Sequence, residues 1–320
     1  MTAAIEAYNI THRFGKTTAL DDVSFTADAN ELFGFIGPDG AGKTTLFRLA
    51  ATLMIPSEGR LSLFGLDTVK DYRKLRNIIG YMPGRFSLYQ DLTVEENLNF
   101  YATIFGTTIK ENYRLIEPIY KQIEPFKKRL AGRLSGGMKQ KLALSCALIH
   151  KPTVLILDEP TTGVDAVSRT EFWEMLSSLK AEGITIIVST PYMDEALHCD
   201  RIALIQSGAI LSIDTPDKIR RSYHHKLYAV KHPNKYKLLL ALRSLSSRVT
   251  GDSSLVGSDA KAMAEDAEPF GDSVHITLPG GTKPEELISA LEAIGLEGAT
   301  VEEIIPGIED VFLELMQREK

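Results

Sequence analysis

The chain has 320 residues, 44% of them hydrophobic and 24% charged, and a net charge of −6. That length predicts two domains, with a core large enough to need no disulfide or metal staple. The acidic balance excludes nucleic-acid binding by bulk electrostatics, leaving room only for a local basic patch.

In chain order, Met1 to Ile10 has no basic stretch leading into an apolar run, so no signal peptide is expected. Leu32 to Gly37 reads as a buried strand entering a glycine-rich turn, and Thr44 to Met54 as the helix after it. From about Leu92 to Leu130 the chain is rich in Glu, Lys, Asn and aromatics, and Thr93 with Glu96 three residues on opens it as a capping box. We read this as a helical subdomain, about 92–150, inserted into an α/β core. Thr153 to Leu157, Ile184 to Ser189 and Arg201 to Gln206 are further strands, and their alternation with helices predicts a mostly parallel sheet. None of the apolar runs approaches the roughly 18–20 residues of a membrane helix, so any membrane role is expected to come through a partner.

A boundary is expected near Arg221 to Lys226, dividing residues 1–222 from a smaller α+β domain over 223–320. There the strands are Lys226 to His232, Ser273 to Leu278 and Thr300 to Ile305. The helices are Tyr236 to Leu245, Lys283 to Ile294 with Pro284 in its first turn, and Ile308 to Met316. This is a βαβ-βαβ-like pattern with a loose acidic loop, Gly257 to Gly271, in its middle. Cys146 and Cys199 have no partner at metal or redox spacing and read as small buried apolar residues.

The sharpest motif is Gly37-Pro38-Asp39-Gly40-Ala41-Gly42-Lys43-Thr44-Thr45, which has the spacing of a phosphate-binding loop and stands between a predicted strand and a predicted helix. Its glycines let backbone N–H groups close around phosphate oxygens, and the helix N-terminus adds partial positive charge. Lys43 is expected to neutralise the outer phosphates, and Thr44 to hold Mg²⁺. A second signal is the apolar strand ending in Asp158-Glu159. Asp158 fits a Mg²⁺ ligand through water, and Glu159 the base that polarises the attacking water. A third is Leu134-Ser135-Gly136-Gly137-Met138-Lys139-Gln140, another helix start with open amides. Two phosphate-gripping helix starts in one chain suggest a site shared between two subunits.

With these motifs in this order, residues 4 to 222 resemble the nucleotide-binding subunits of ABC transporters, a P-loop NTPase fold. Leu134 to Gln140 looks like their signature motif, which meets the partner's ATP. Asp158-Glu159 looks like their second Walker motif, and Gly163-Val164-Asp165 like the loop that reaches across the dimer. Phe14 sits where the family places an adenine-stacking aromatic; an ordinary core Phe is the competing reading. The ending Pro306 to Leu315 is similar to that of a branch whose membrane domains are separate ABC-2-type permease subunits. The resemblance implies an ATPase with ATP and Mg²⁺ as cofactors, export rather than import, no nucleic-acid partner, and a peripheral position on the cytoplasmic face of the membrane. The membrane subunits would follow a groove between core and helical subdomain, near Arg85 to Asp91. A non-transport ATP switch or a regulatory ATP-binding subunit is the alternative reading.

Two residues depart from the family pattern. Gly84 stands where the family has a Gln that touches Mg²⁺ and water, and Pro191 where it has a His on the γ-phosphate. Proline offers neither a side-chain donor nor an N–H. The expectation is an impaired site paired in an asymmetric dimer with a second ATP-binding subunit, with a homodimer as the rival, and the pattern also looks like the first half of double-cassette ABC-2 proteins. Gln90 and His198 are expected to face the helical subdomain and the surface rather than to substitute.

Overall fold

The computed structural model describes residues 3–245 and 263–318. The chain forms two compact units, one of residues up to Ile219 together with those from Phe312 on, the other Arg220–Val311.

The first unit opens with a hairpin of long strands, β1 (Ala3–Phe14) and β2 (Thr17–Asp28), followed by β3 (Leu32–Ile36), buried along its whole length. After the glycine-rich turn come α1 (Lys43–Ala50), β4 (Glu58–Leu63), β5 (Leu66–Asp67), the short α2 (Tyr72–Leu75) and β6 (Ile79–Met82). Helices α3 (Val94–Ile104) and α4 (Ile109–Tyr120) both start with complete capping boxes, at Thr93/Glu96 and Thr108/Glu111. Two 3₁₀ turns lead into α5 (Gly136–Leu148). Then follow β7 (Val154–Asp158), α6 (Ala166–Ala181), β8 (Thr185–Thr190), β9 (Arg201–Gln206), β10 (Ala209–Asp214) and α7 (Pro216–Arg221).

Six strands form the central sheet in the order β10-β9-β3-β8-β7-β6, parallel except for the β9–β10 hairpin. Strands β3, β7 and β8 are buried end to end, as strands covered on both faces must be. The sequence reading did not foresee the second, antiparallel sheet β2-β1-β4-β5, whose polar outer faces weaken its apolar pattern. The expected helix from Thr44 stops at Ala50 rather than Met54, because Thr52 takes a left-handed conformation (φ 60°) and closes the turn. Cys146 and Cys199 are buried and unpaired, and burial pushes both thiols up.

The second unit holds β11 (Leu227–Lys231), α8 (Lys235–Ser244), β12 (Glu265–Phe270), β13 (Ser273–Thr277), α9 (Pro284–Ala293) and β14 (Thr300–Ile304). Its antiparallel sheet runs β12-β13-β11-β14, the interleaved order of two βαβ units, around a core that includes Val230, Leu238, Leu242, Val274, Ile276 and Leu287. Part of the expected acidic loop is strand: Glu265–Phe270 pairs with β13 through the tight turn at Gly271 (φ 42°), and its acidic residues masked the pattern. Residues 257–262 of that loop lie outside the described residues. The last helix is α10 (Ile308–Arg318).

Candidate functional site

Parallel pairing puts four strand ends in one row. Ile36 of β3 lies opposite Thr190 of β8, Asp158 of β7 opposite Ser189, and Met82 of β6 beside Leu157. The segments that follow, Gly37 to Lys43, Pro191, Glu159 and Gly84, therefore leave the sheet along the same edge. Open parallel sheets bind ligands at this edge.

The glycine loop is shaped by close backbone approach. A Cβ on Gly37 would fall 2.1 Å from the Ile205 carbonyl oxygen, so only glycine fits there. Gly42 has φ 103°, and a Cβ on it would lie 2.6 Å from the Ala19 carbonyl. Gly42 also caps α1 without a side-chain hydrogen bond, leaving the first-turn amides for an anion. Asp39 and Gly40 form the exposed tip, Pro38 and Thr45 are half-buried, and Ala41 is buried.

Behind the loop, the Lys43 ammonium is buried and donates to the carbonyls of Gly37 (2.8 Å) and Pro38 (2.9 Å). It also lies 3.2 Å from Glu159 Oε1. Thr44 Oγ1 donates to Asp158 Oδ1 at 3.1 Å. Ser189, fully buried, donates its hydroxyl to the same Oδ1 at 2.8 Å and accepts the Glu159 N–H at 3.0 Å. Glu159 itself sits at φ 48°, a strained conformation for a non-glycine residue at the tip of a strand. Sequence reasoning missed Ser189; the available signal was a polar residue closing an otherwise apolar buried strand.

The residues fit a magnesium ion. Thr44 and Asp158 offer adjacent hard oxygen donors, and among the described residues no group of three or more His, Cys, Asp or Glu side chains converges. Magnesium is commonly held by one or two carboxylate or hydroxyl ligands plus phosphate oxygens, not by an all-protein cage.

Phe14 ends β1 with 51% of its surface exposed and meets the His12 ring edge-on at 4.7 Å, so it is not an ordinary core residue. Leu134 is buried, and Ser135 caps α5 by accepting from the Met138 N–H at 3.4 Å. The start of α5 is packed tightly against the segment that begins α6. A Cβ on Gly136 would lie 3.0 Å from the Gly163 carbonyl, and one on Gly137 2.9 Å from Ser168 Oγ. Asp165 caps α6 through the Ser168 N–H at 3.0 Å, a bond that holds its carboxyl below the usual carboxylate range. Lys139 lies over the Phe86 ring at 5.4 Å, and Gln140 is half-buried.

The two departures lie on the same edge. A Cβ on Gly84 would be 3.1 Å from the Asp158 carbonyl and 3.6 Å from Glu159 Cβ, so a side chain there would start beside both carboxylates. Pro191 directly follows Thr190, whose carbonyl accepts the Gly37 N–H at 3.3 Å. Gln90 lies against Gly132 of the helical subdomain, and His198 is exposed, stacked on Trp173 at 5.1 Å.

Between β6, the turn that follows α1 and the helical subdomain lies an apolar cavity of about 510 Å³ lined in part by Leu53, Tyr81, Met82, Leu88, Tyr101 and Phe105. Of the stretch Arg85 to Asp91, Ser87 and Leu88 line it.

Comparison with known proteins gives one consistent result. A family profile described as ABC transporter matches residues 20–162. The chain is 37% identical over 302 residues to the probable multidrug ABC transporter ATP-binding protein YbhF of Escherichia coli K12, a match covering 93% of this chain and 49% of that protein. The chain thus spans about half the length of that relative. It is 33% identical over 327 residues to the Nod factor export ATP-binding protein I of Burkholderia orbicola, covering 99% of this chain and 98% of that one. Among solved structures, an ATP-binding subunit of an ABC transporter superposes with a TM-score of 0.63 at 30% identity, over 69% of this chain and 93% of that one. CbiO1 from Clostridium perfringens, described as part of the ABC transporter complex cbiONQ, gives 0.62 at 27% identity, over 69% and 92%.

Proposed function

The chain belongs to the ABC transporter family of ATP-binding proteins, and from that membership we propose that it is the ATP-binding subunit of an ABC-2-type exporter. The observation that carries this reading is the cluster at the sheet edge: Thr44 is hydrogen-bonded to Asp158 and Lys43 ion-paired with Glu159, behind a loop with free helix-start amides.

In this reading the amides of Gly40 to Thr45 and the Lys43 ammonium bind the phosphates, and Phe14 stacks on the adenine. Thr44 and Asp158 would hold Mg²⁺, which when bound neutralises charge on the phosphate oxygens. Glu159 accepts a proton from the attacking water. Leu134 to Gln140 and Asp165 face the nucleotide of a second ATP-binding subunit. Separate permease subunits present an apolar segment to the cavity beside Leu88 and Tyr101, holding the chain at the cytoplasmic face of the membrane. The second unit, Arg220–Val311 rather than the expected 223–320, serves as an accessory domain.

We assign slow turnover to the chain's own site, because Gly84 and Pro191 supply no polar group beside Glu159. A positioned donor lost from such a site costs about 10²–10³ in rate. An asymmetric dimer follows, in which this chain's intact signature segment completes a partner's faster site. The test is ATP binding and steady-state hydrolysis by the purified chain, with Glu159→Gln as control. Tight Mg-ATP binding with turnover no faster than the control supports the asymmetric reading. Turnover at ordinary family rates by a homodimer, abolished in the control, overturns it. Absence of ATP binding overturns the assignment of the site itself.

A further inference from the structure

One buried carboxylate in the first unit has no part in the chemistry described so far. Glu195 follows β8, and its side chain is only 4% exposed. Its Oε2 accepts two hydroxyl hydrogen bonds, from Thr161 at 2.9 Å and from Thr190 at 2.5 Å. Among the described residues its Oε1 has no hydrogen-bond partner, and the Arg169 guanidinium stands 3.8 Å away. A buried carboxylate with one oxygen unsatisfied is costly, and such groups persist in native proteins where they serve a purpose other than stability.

The residues around it lie on two functionally distinct segments. Thr190 is the strand end that accepts the Gly37 N–H through its carbonyl (3.3 Å), so it is joined to the phosphate loop. Its hydroxyl is fully buried and also accepts the Tyr192 N–H at 3.1 Å, fixing the backbone on both sides of Pro191. Thr161 belongs to the turn that runs from Glu159 to Asp165; its carbonyl accepts the Val164 N–H at 3.2 Å. Arg169 sits on α6, one turn past its cap Asp165, and lies over the Tyr192 ring at 4.9 Å. Glu195 thus closes a continuous chain of bonds, Gly37 to Thr190 to Glu195 to Thr161, from the phosphate loop to the segment bearing Asp165.

We propose that Glu195 is a positioning residue that transmits occupancy of this chain's own phosphate loop to the segment Thr161–Asp165, the one that would face a second subunit. The inference rests on the reading of Gly37–Thr45 as an ATP site. A contiguous, fully buried hydrogen-bonded path is a physical means of coupling, and a coupling measurement decides whether it operates. The path does not require a histidine at position 191. A chain with proline there still ties its phosphate loop to its dimer-facing segment, which suits a subunit whose nucleotide site acts chiefly by being filled. The unsatisfied Oε1 is where the contact with Arg169 can tighten when that segment moves.

The test uses the full chain and needs no partner. Backbone hydrogen exchange is followed with and without Mg-ATP in the wild type, Glu195→Ala, Glu195→Gln and Thr161→Val, with ATP affinity measured on the same samples. In the wild type, ATP slows exchange in the phosphate loop and across residues 160–170. In Glu195→Ala the affinity stays within about twofold and the phosphate loop is still protected, while ATP-induced protection of 160–170 falls by about half or more. Thr161→Val reproduces the loss, and Glu195→Gln, whose amide oxygen still accepts both hydroxyls, restores most of the protection. Equal protection of 160–170 in the wild type and Glu195→Ala overturns the proposal. So does an alanine variant that loses ATP affinity and phosphate-loop protection together with the rest, since the role would then be structural. A wild type that binds ATP without any change at 160–170 overturns it too, whereas a wild type that does not bind ATP overturns the reading of the site instead.

Discussion

Ser189 Oγ stands between the two carboxylate residues of the site, 2.8 Å from Asp158 Oδ1 as donor and 3.0 Å from the Glu159 nitrogen as acceptor. One hydroxyl therefore fixes both the side chain that would hold the metal and the backbone of the residue that would act as base. Ser189→Ala leaves Asp158 with Thr44 and the Glu159 N–H with the Ser189 carbonyl at 3.1 Å, so the fold survives. The expected cost is about 1–3 kcal/mol of stability, read as a lower midpoint in a denaturant titration. In a Gly84→Gln/Pro191→His background, where turnover is raised enough to be read, a fall of about tenfold in kcat with little change in KM is expected, because positioning rather than binding is lost. An unchanged kcat would show that Ser189 only stabilises the strand end.

The proposed slow turnover makes a gain-of-function prediction. A Cβ at position 84 starts 3.1 Å from the Asp158 carbonyl and 3.6 Å from Glu159 Cβ, so Gly84→Gln needs a shift of only a few tenths of an ångström. Combined with Pro191→His, it supplies two polar groups beside Glu159. The double variant should raise kcat by about tenfold or more with KM for ATP within about threefold, since the added groups act on the reaction more than on binding. Steady-state hydrolysis checks this. A double variant that folds, binds ATP and stays as slow as the parent would place the cause of slow turnover elsewhere.

These residues also mark how far the sequence could be read. That Gly37 to Thr45 and Asp158-Glu159 follow strands was legible because each adjoins an apolar run, and both lie at strand ends in one row. The capping box at Thr93 was legible for a local reason as well. Ser189 and Glu195 were not, since their roles depend on which strand lies next to which. The order β3-β8-β7 is a long-range fact that no window of residues contains. Strand β12 was lost because Glu265 and Glu268 break the apolar alternation by which a strand is recognised.

Two glycines of the proposed phosphate loop should respond differently to a methyl group. At Gly37 the backbone conformation suits any residue, but a Cβ would sit 2.1 Å from the Ile205 carbonyl, backbone that has no room to yield. At Gly40 none of the described residues lies within 4 Å of an added Cβ, and the obstacle is φ 80°. Gly37→Ala is expected to destabilise by about 3 kcal/mol or more through overpacking. Gly40→Ala should cost only about 1–2 kcal/mol, the strain of a left-handed residue. Thermal unfolding of the two variants side by side tests this. The reverse order would mean that the loop is held by conformational strain rather than by its approach to β9.

The clearest pH dependence should come from His150. Its Nε2 lies 3.0 Å from the Ile79 carbonyl, which can only accept, so Nε2 carries the proton. Nδ1 is buried with no hydrogen-bond partner among the described residues, and the ring is stacked on Phe105 at 3.8 Å. Charging the ring would require a second proton at Nδ1 inside apolar surroundings, and burial accordingly lowers the imidazole pKa from its usual 6.5, only partly opposed by the Ile79 carbonyl. In the unfolded chain the ring takes up its proton as pH falls through about 6.5, before the folded one does. The unfolded state then binds more protons, so this contribution to stability is present above that pH and is lost as pH falls towards the lowered folded value. The wild-type melting temperature should decline as pH falls from about 6.5 towards the carboxylate range. His150→Gln, which keeps a donor for Ile79 but cannot titrate, should start from a lower melting temperature because it loses the ring stack, and should decline less over that interval. Parallel decline in both proteins would assign the acid sensitivity to another group and leave His150 neutral at little cost.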